Sequence, residues 1–107
     1  MGSSPDATLF YGAPLDYDEY DGVDMTPVHE YLAKFGWDAG YAGVDSATLP
    51  YIYCEQKYFD AWECSKISLD MVSKVPKTFK QEDAEEIAKH FGIDPDDFGW
   101  RIAASYG

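Results

Sequence analysis

The sequence predicts one α+β domain, an antiparallel sheet of about four strands with two helices packed on one face. Three observations carry that expectation. Aromatic and β-branched residues alternate over short runs, as they do in half-buried strands. Two other segments place apolar residues at helical spacing between start and stop signals. The order is strand, helix, strand, strand, helix, strand, which fits a split βαβ, ferredoxin-like sheet. At 107 residues the chain has the size of a single core. Residues 1–7, small and polar with Ser3, Ser4 and Pro5, read as a flexible N-terminus, and residues 8–107 as the domain.

The first strand is expected at Thr8 to Tyr11, stopped by Gly12 and Pro14 because proline cannot donate to a ladder. Asp16 to Asp24 reads DYDEYDGVD; five carboxylates in nine residues cannot be buried together, so a solvated loop is expected. The first helix is expected from Pro27 to Phe35. Thr26 is placed to cap it, Pro27 suits the first helical position, Val28, Tyr31, Leu32 and Phe35 form the stripe, and Gly36 stops it. Trp37 to Ala47 contains the glycines of DAGYAG and reads as a loop.

Leu49 to Glu55 reads as a central strand, with Tyr51, Tyr53 and Glu55 on one face and Ile52 and Cys54 on the other. Cys64 to Leu69 reads as its weaker partner. The second helix follows Pro76. Thr78 and Gln81 have capping-box spacing, Glu82, Asp83, Glu85 and Glu86 suit a helix N-terminus, and Phe79, Ala84, Ile87, Ala88 and Phe91 form the stripe before Gly92. Asp94 to Asp97 is a turn, and Phe98 to Tyr106, with Trp100, Ile102 and Ala104 alternating, is the last strand. A short internal repeat marks both helix ends: AKFGWD from Ala33 resembles AKHFGID from Ala88 with one residue inserted.

Eight basic and twenty acidic side chains leave a net charge of −12. Such a balance repels nucleic acid and anionic membranes and favours partners with a basic surface. Met1 to Pro50 carries nine acids and one base, so the acidic pole lies early. No basic segment followed by an apolar run of about 7 to 15 residues opens the chain, and no run approaches the roughly 20 apolar residues of a membrane helix. With only two cysteines, these features lead us to expect a cytoplasmic protein.

Motifs with specific chemistry are missing. Cys54 and Cys64, ten residues apart, do not offer the spacing of a structural zinc site with His29 and His90; they read as two small buried residues rather than as ligands or a disulfide. An EF-hand loop begun at Asp16 fails, because its fifth position is Tyr20 and its sixth Asp21. His29 and His90 have no adjacent nucleophile or oxyanion motif, and His90 suits a helix C-terminus.

We therefore expect no enzyme, metal or cofactor. The expectation is a small acidic binding protein, monomer or homodimer, contacting a protein partner through Asp16, Tyr17, Asp18, Glu19, Tyr20, Asp21 and Asp24. Carboxylates interleaved with tyrosines can imitate nucleic acid, and tyrosine is a favoured interface anchor. Small, acidic, aromatic-rich chains without chemistry are common among phage-encoded or mobile-element accessory proteins that inhibit host nucleic-acid-binding machinery. One alternative is a small enzyme or ligand binder whose pocket between helices and sheet is lined by His29, Tyr51, Tyr53 and Trp62. Another is a structural subunit of an oligomer. Lys74, Lys77 and Lys80 form the one basic cluster.

Overall fold

The computed structural model describes residues 5–20, 23–44, 47–59 and 69–106. The expected class is present: four strands, mutually antiparallel but for one short seam, and two principal helices. In chain order the elements are β1 (Pro5–Pro14), α1 (Tyr17–Tyr20), α2 (Thr26–Ala33), β2 (Asp38–Val44), β3 (Ala47–Phe59), α3 (Leu69–Ser73), α4 (Gln81–Phe91), a 3-10 turn (Pro95–Asp97) and β4 (Gly99–Tyr106).

β1 lies between β3 and β4, and β3 lies between β1 and β2, all antiparallel. Each strand–helix–strand half is thus split by a strand of the other, as the order of elements implies. The sheet does not stay open, however. Gly43 and Val44 of β2 meet Ser105 and Tyr106 of β4 in parallel, which closes the strands into a barrel.

Several segments differ from the sequence reading. The stretch taken as a loop at Trp37 to Ala47 contains β2: its glycines do not break the strand but let it lie close to β3. A Cβ on Gly40 would stand 2.7 Å from the Tyr51 ring. The strand expected at Cys64 to Leu69 lies, like Trp62, outside the described residues except for Leu69, which opens α3; the described partners of β3 are β1 and β2. β1 begins at Pro5 and continues to Pro14, because Gly12 serves the pairing rather than ending it. Tyr17–Tyr20, inside the supposed loop, forms one helical turn.

One extra residue in β3 reorganises the faces. Tyr11 opposes Glu55 but Gly12 opposes Tyr53, which leaves Cys54 without a partner in a β-bulge. Strict alternation would put Glu55 beside Tyr51 and Tyr53; the bulge turns it to the helix side, where its Oε1 accepts from the Thr78 hydroxyl at 3.1 Å. Gly12 is required there, since a Cβ would sit 1.8 Å from the Ile52 carbonyl oxygen.

The helix-side core joins Tyr11, Ala13, Ile52 and Cys54 of the sheet to Val28 and Leu32 of α2, Trp37, Phe98, and Ala84, Ile87 and Ala88 of α4. Both helices therefore pack on one face. Across the sheet a smaller cluster, Phe10, Tyr51 and Ala103, fills the other side, with the Phe10 and Tyr51 rings stacked at 4.1 Å. The central part of β3 is buried on both faces, Tyr51 on one and Ile52 on the other. In β4 the expected alternation holds only in part: Trp100 packs on the core, but Ile102 is 67% exposed and Ala103 is buried instead.

The helix ends explain the internal repeat. Gly36 and Gly92 both take positive φ, 77° and 70°. The next amide returns to the carbonyl five residues back, Trp37 to Leu32 at 3.0 Å and Ile93 to Ala88 at 2.8 Å. This is the Schellman stop that glycine permits. The N-terminal caps differ from expectation. α2 starts at Thr26, whose amide is bound by Asp24 Oδ1 at 3.0 Å. No capping box opens α4, because Thr78 is turned to Glu55 and Gln81 Nε2 donates to Glu85.

Candidate functional site

The acidic segment is attached to the helix layer through an aromatic cluster. Tyr20, at the end of α1, is half-buried with its ring 6.4 Å from that of Phe91 on α4. Phe91 meets Tyr31 of α2 at 5.7 Å, and Tyr31 stacks on His90 at 3.7 Å. Burial, with Glu19 nearby, raises the Tyr20 pKa, and burial, with Glu86 nearby, raises that of Tyr31. Tyr20 thus anchors α1 to α4 with part of its surface still exposed. Sequence reasoning missed this, since its partner Phe91 is 71 residues away.

Asp16, Glu19 and Asp24 are exposed. The Asp24 pKa is lowered because its carboxylate accepts from the Thr26 backbone amide and side chain. Tyr17 and Asp18 lie on α1, while Asp21 lies outside the described residues. The aromatic cluster joins this segment to further exposed acids that the sequence did not single out as part of the site, Glu30 on α2 and Glu82, Glu85 and Glu86 on α4. Among the described residues other than Asp16, no carboxylate has a lysine or arginine within ion-pair distance. Asp24 accepts from the Thr26 amide and Glu85 from the Gln81 side chain, so the charges of this layer meet neutral donors and not cations.

Of the alternative pocket's residues, Trp62 lies outside the described residues, and the two tyrosines do not face the helices. Tyr51 and Tyr53 belong to the side of β3 away from the helices, because Ile52 and Cys54 take the helix side. Their rings lie 5.8 Å apart. His29 reaches the edge of this row through a residue the sequence reading did not use: its Nδ1 lies 2.6 Å from Asp38 Oδ1, and Asp38 pairs with Tyr53 across β2 and β3. Burial pushes the Asp38 pKa up, but the hydrogen bonds from His29 and from the Ala39 amide outweigh it and leave the carboxyl below its ordinary value. Burial, then the charge of Asp38, raises the pKa of Tyr53.

Cys54 is a buried free thiol. Burial raises its pKa against an opposing hydrogen bond from Thr78, which makes it a packing residue with little thiolate at neutral pH. Cys64 lies outside the described residues. His90 sits in the last turn of α4, where a cation complements the helix C-terminus. Among the described residues, no three His, Cys, Asp or Glu side chains converge as a metal site, and no helix is long and apolar enough to cross a membrane. No family model, curated protein or solved structure matches the chain.

Proposed function

We propose that this chain is a non-enzymatic binding protein that engages a basic surface on a protein partner through the acidic layer formed by α1, α2 and α4. The observation that carries this reading is the set of exposed carboxylates on Glu19, Glu30, Glu82, Glu85 and Glu86 without lysine or arginine partners. Charges that contribute nothing to internal pairing remain available to an incoming cationic surface, and a layer of like charge steers its approach. The basic surface is of the kind that binds nucleic acid, and the chain acts as an accessory or inhibitor by occupying it, as proteins of phage or mobile elements do.

The test begins with a partner captured from lysate at 0.1 M salt and challenged at 1 M, where the Debye length falls from about 10 Å to about 3 Å. The recovered partner is then offered double-stranded DNA or RNA in competition. We expect the complex to weaken with salt and nucleic acid to displace the protein. A complex indifferent to both would overturn the reading.

A further inference from the structure

We propose that the groove between β3, β4 and residues 69–77 is a binding site for a small amphipathic organic anion, a flat apolar body carrying a carboxylate, sulfonate or phosphate. Two hollows of about 510 and 190 Å³ share Glu55, Met71 and Trp100 and together form it. Their combined size suits a small ligand. This groove shares no residue with the acidic helix layer, and the proposal is independent of the function argued above.

Charge is the first observation. Lys57, Lys74 and Lys77 line the groove, three of only eight basic side chains in a chain of net charge −12. Among the described residues one acid, Glu55, joins them, and its Oε1 already accepts the Thr78 hydroxyl. An acidic protein that gathers its few cations around one hollow presents a local well for an anion. A long polyanion would meet the repulsive field of the whole chain, whereas a small ligand with one charged head meets mainly the nearby lysines.

The walls supply the second observation. Leu9, Met71, Val75, Pro76 and Trp100 give an apolar lining. Val75 is 57% exposed, so it offers uncovered apolar surface. The Trp100 ring is held edge-on by Tyr11 at 5.4 Å, and its Nε1 donates to the Lys74 carbonyl at 2.9 Å. That bond uses the only polar atom of the indole and ties the lysine-bearing segment to the wall. The aromatic wall and the backbone of the Lys74 segment are thereby held together before any ligand arrives, while the flexible Met71 and the exposed lysine side chains can adjust to it.

The experiment titrates the full chain with three probes: naphthoate, its neutral counterpart naphthalenemethanol, and inorganic phosphate. Backbone and indole NMR shifts follow binding, and circular dichroism confirms the fold of each variant. We expect naphthoate to saturate the Trp100 indole shift and to bind about tenfold or more tightly than either the alcohol or phosphate. Lys74→Gln with Lys77→Gln should remove that preference, while Lys80→Gln, outside the groove, should not. Equal affinity for the alcohol would show a merely apolar hollow, equal affinity for phosphate a merely charged one, and an unaffected double variant a site elsewhere. Each of these outcomes overturns the proposal. So would a dimer that dissociates when the two lysines are reversed to glutamate while naphthoate has no effect, since the occupant would then be a second copy of the chain.

Discussion

Replacing Gly12 by alanine tests the bulge on which the sheet is built. The added Cβ would stand 1.8 Å from the Ile52 carbonyl oxygen and 2.8 Å from both the Ile52 carbonyl carbon and the Tyr53 Cα. All three are backbone atoms of a central strand, so no side chain can swing aside. Restoring van der Waals contact at 3.4 Å requires β1 and β3 to part by about 1.6 Å, and overpacking of this kind costs about 1 to 3 kcal/mol. Separation at that point also weakens one or two ladder hydrogen bonds, each contributing about 0.5 to 1.5 kcal/mol. The expected loss is therefore roughly 2 to 5 kcal/mol, against a total stability of roughly 5 to 15 kcal/mol for a domain of this kind. Gly99→Ala is the matched control: nothing lies within 4 Å of its added Cβ and its φ is not positive. It should be neutral or stabilise by about 0.4 to 1 kcal/mol through the unfolded state. Urea unfolding followed by circular dichroism measures both. A Gly12→Ala variant within about 0.5 kcal/mol of the parent, the range of ordinary surface changes, would refute the bulge and the register built on it.

Other expectations follow from the same structure. Ile52 is fully buried, so Ile52→Ala should cost about 2 to 5 kcal/mol in urea unfolding. In a Cys64→Ser background, Cys54 should react with a thiol reagent far more slowly in native protein than in urea at neutral pH, because burial raises its pKa and blocks access; equal rates would contradict its packing. Since the folded Asp38 pKa is depressed, its contribution is present above the unfolded value of 3.8 and lost as pH falls through the folded value. The pair is exposed, at 42% and 55% for the two side chains, so the loss should be only about 0 to 1 kcal/mol. NMR titration of Asp38 should show its pKa rising in His29→Ala.

The class was readable because α2, α4, β1, β3 and β4 each carry local signals of period and stop, and the repeated glycine at both helix ends was correctly placed. The second strand was not readable. In β2 the side chains are Ala39, Gly40, Ala42 and Gly43 around one tyrosine, and their smallness, which reads as a loop, answers to the Tyr51 ring on the neighbouring strand. The bulge was hidden for a similar reason: nothing in the Tyr53, Cys54, Glu55 sequence shows that Gly12, some forty residues earlier, will oppose only part of it. Barrel closure rests on a backbone seam and leaves no side-chain signature. At the candidate surface the acids themselves were legible from composition. Their connection to α4 through Tyr20 and Phe91, and the His29–Asp38 pair, arise from contacts between distant segments.

The most direct measurement of the proposed function is the association rate with the recovered partner after reversing Glu19 and Glu30 to lysine. Both residues are exposed, so circular dichroism and unfolding should match the parent. If the acidic layer is the working surface, the association rate should fall about tenfold or more at low salt and converge with the parent at 1 M, while dissociation changes little. Association and dissociation rates both unchanged at low salt, with the fold intact, would contradict the account.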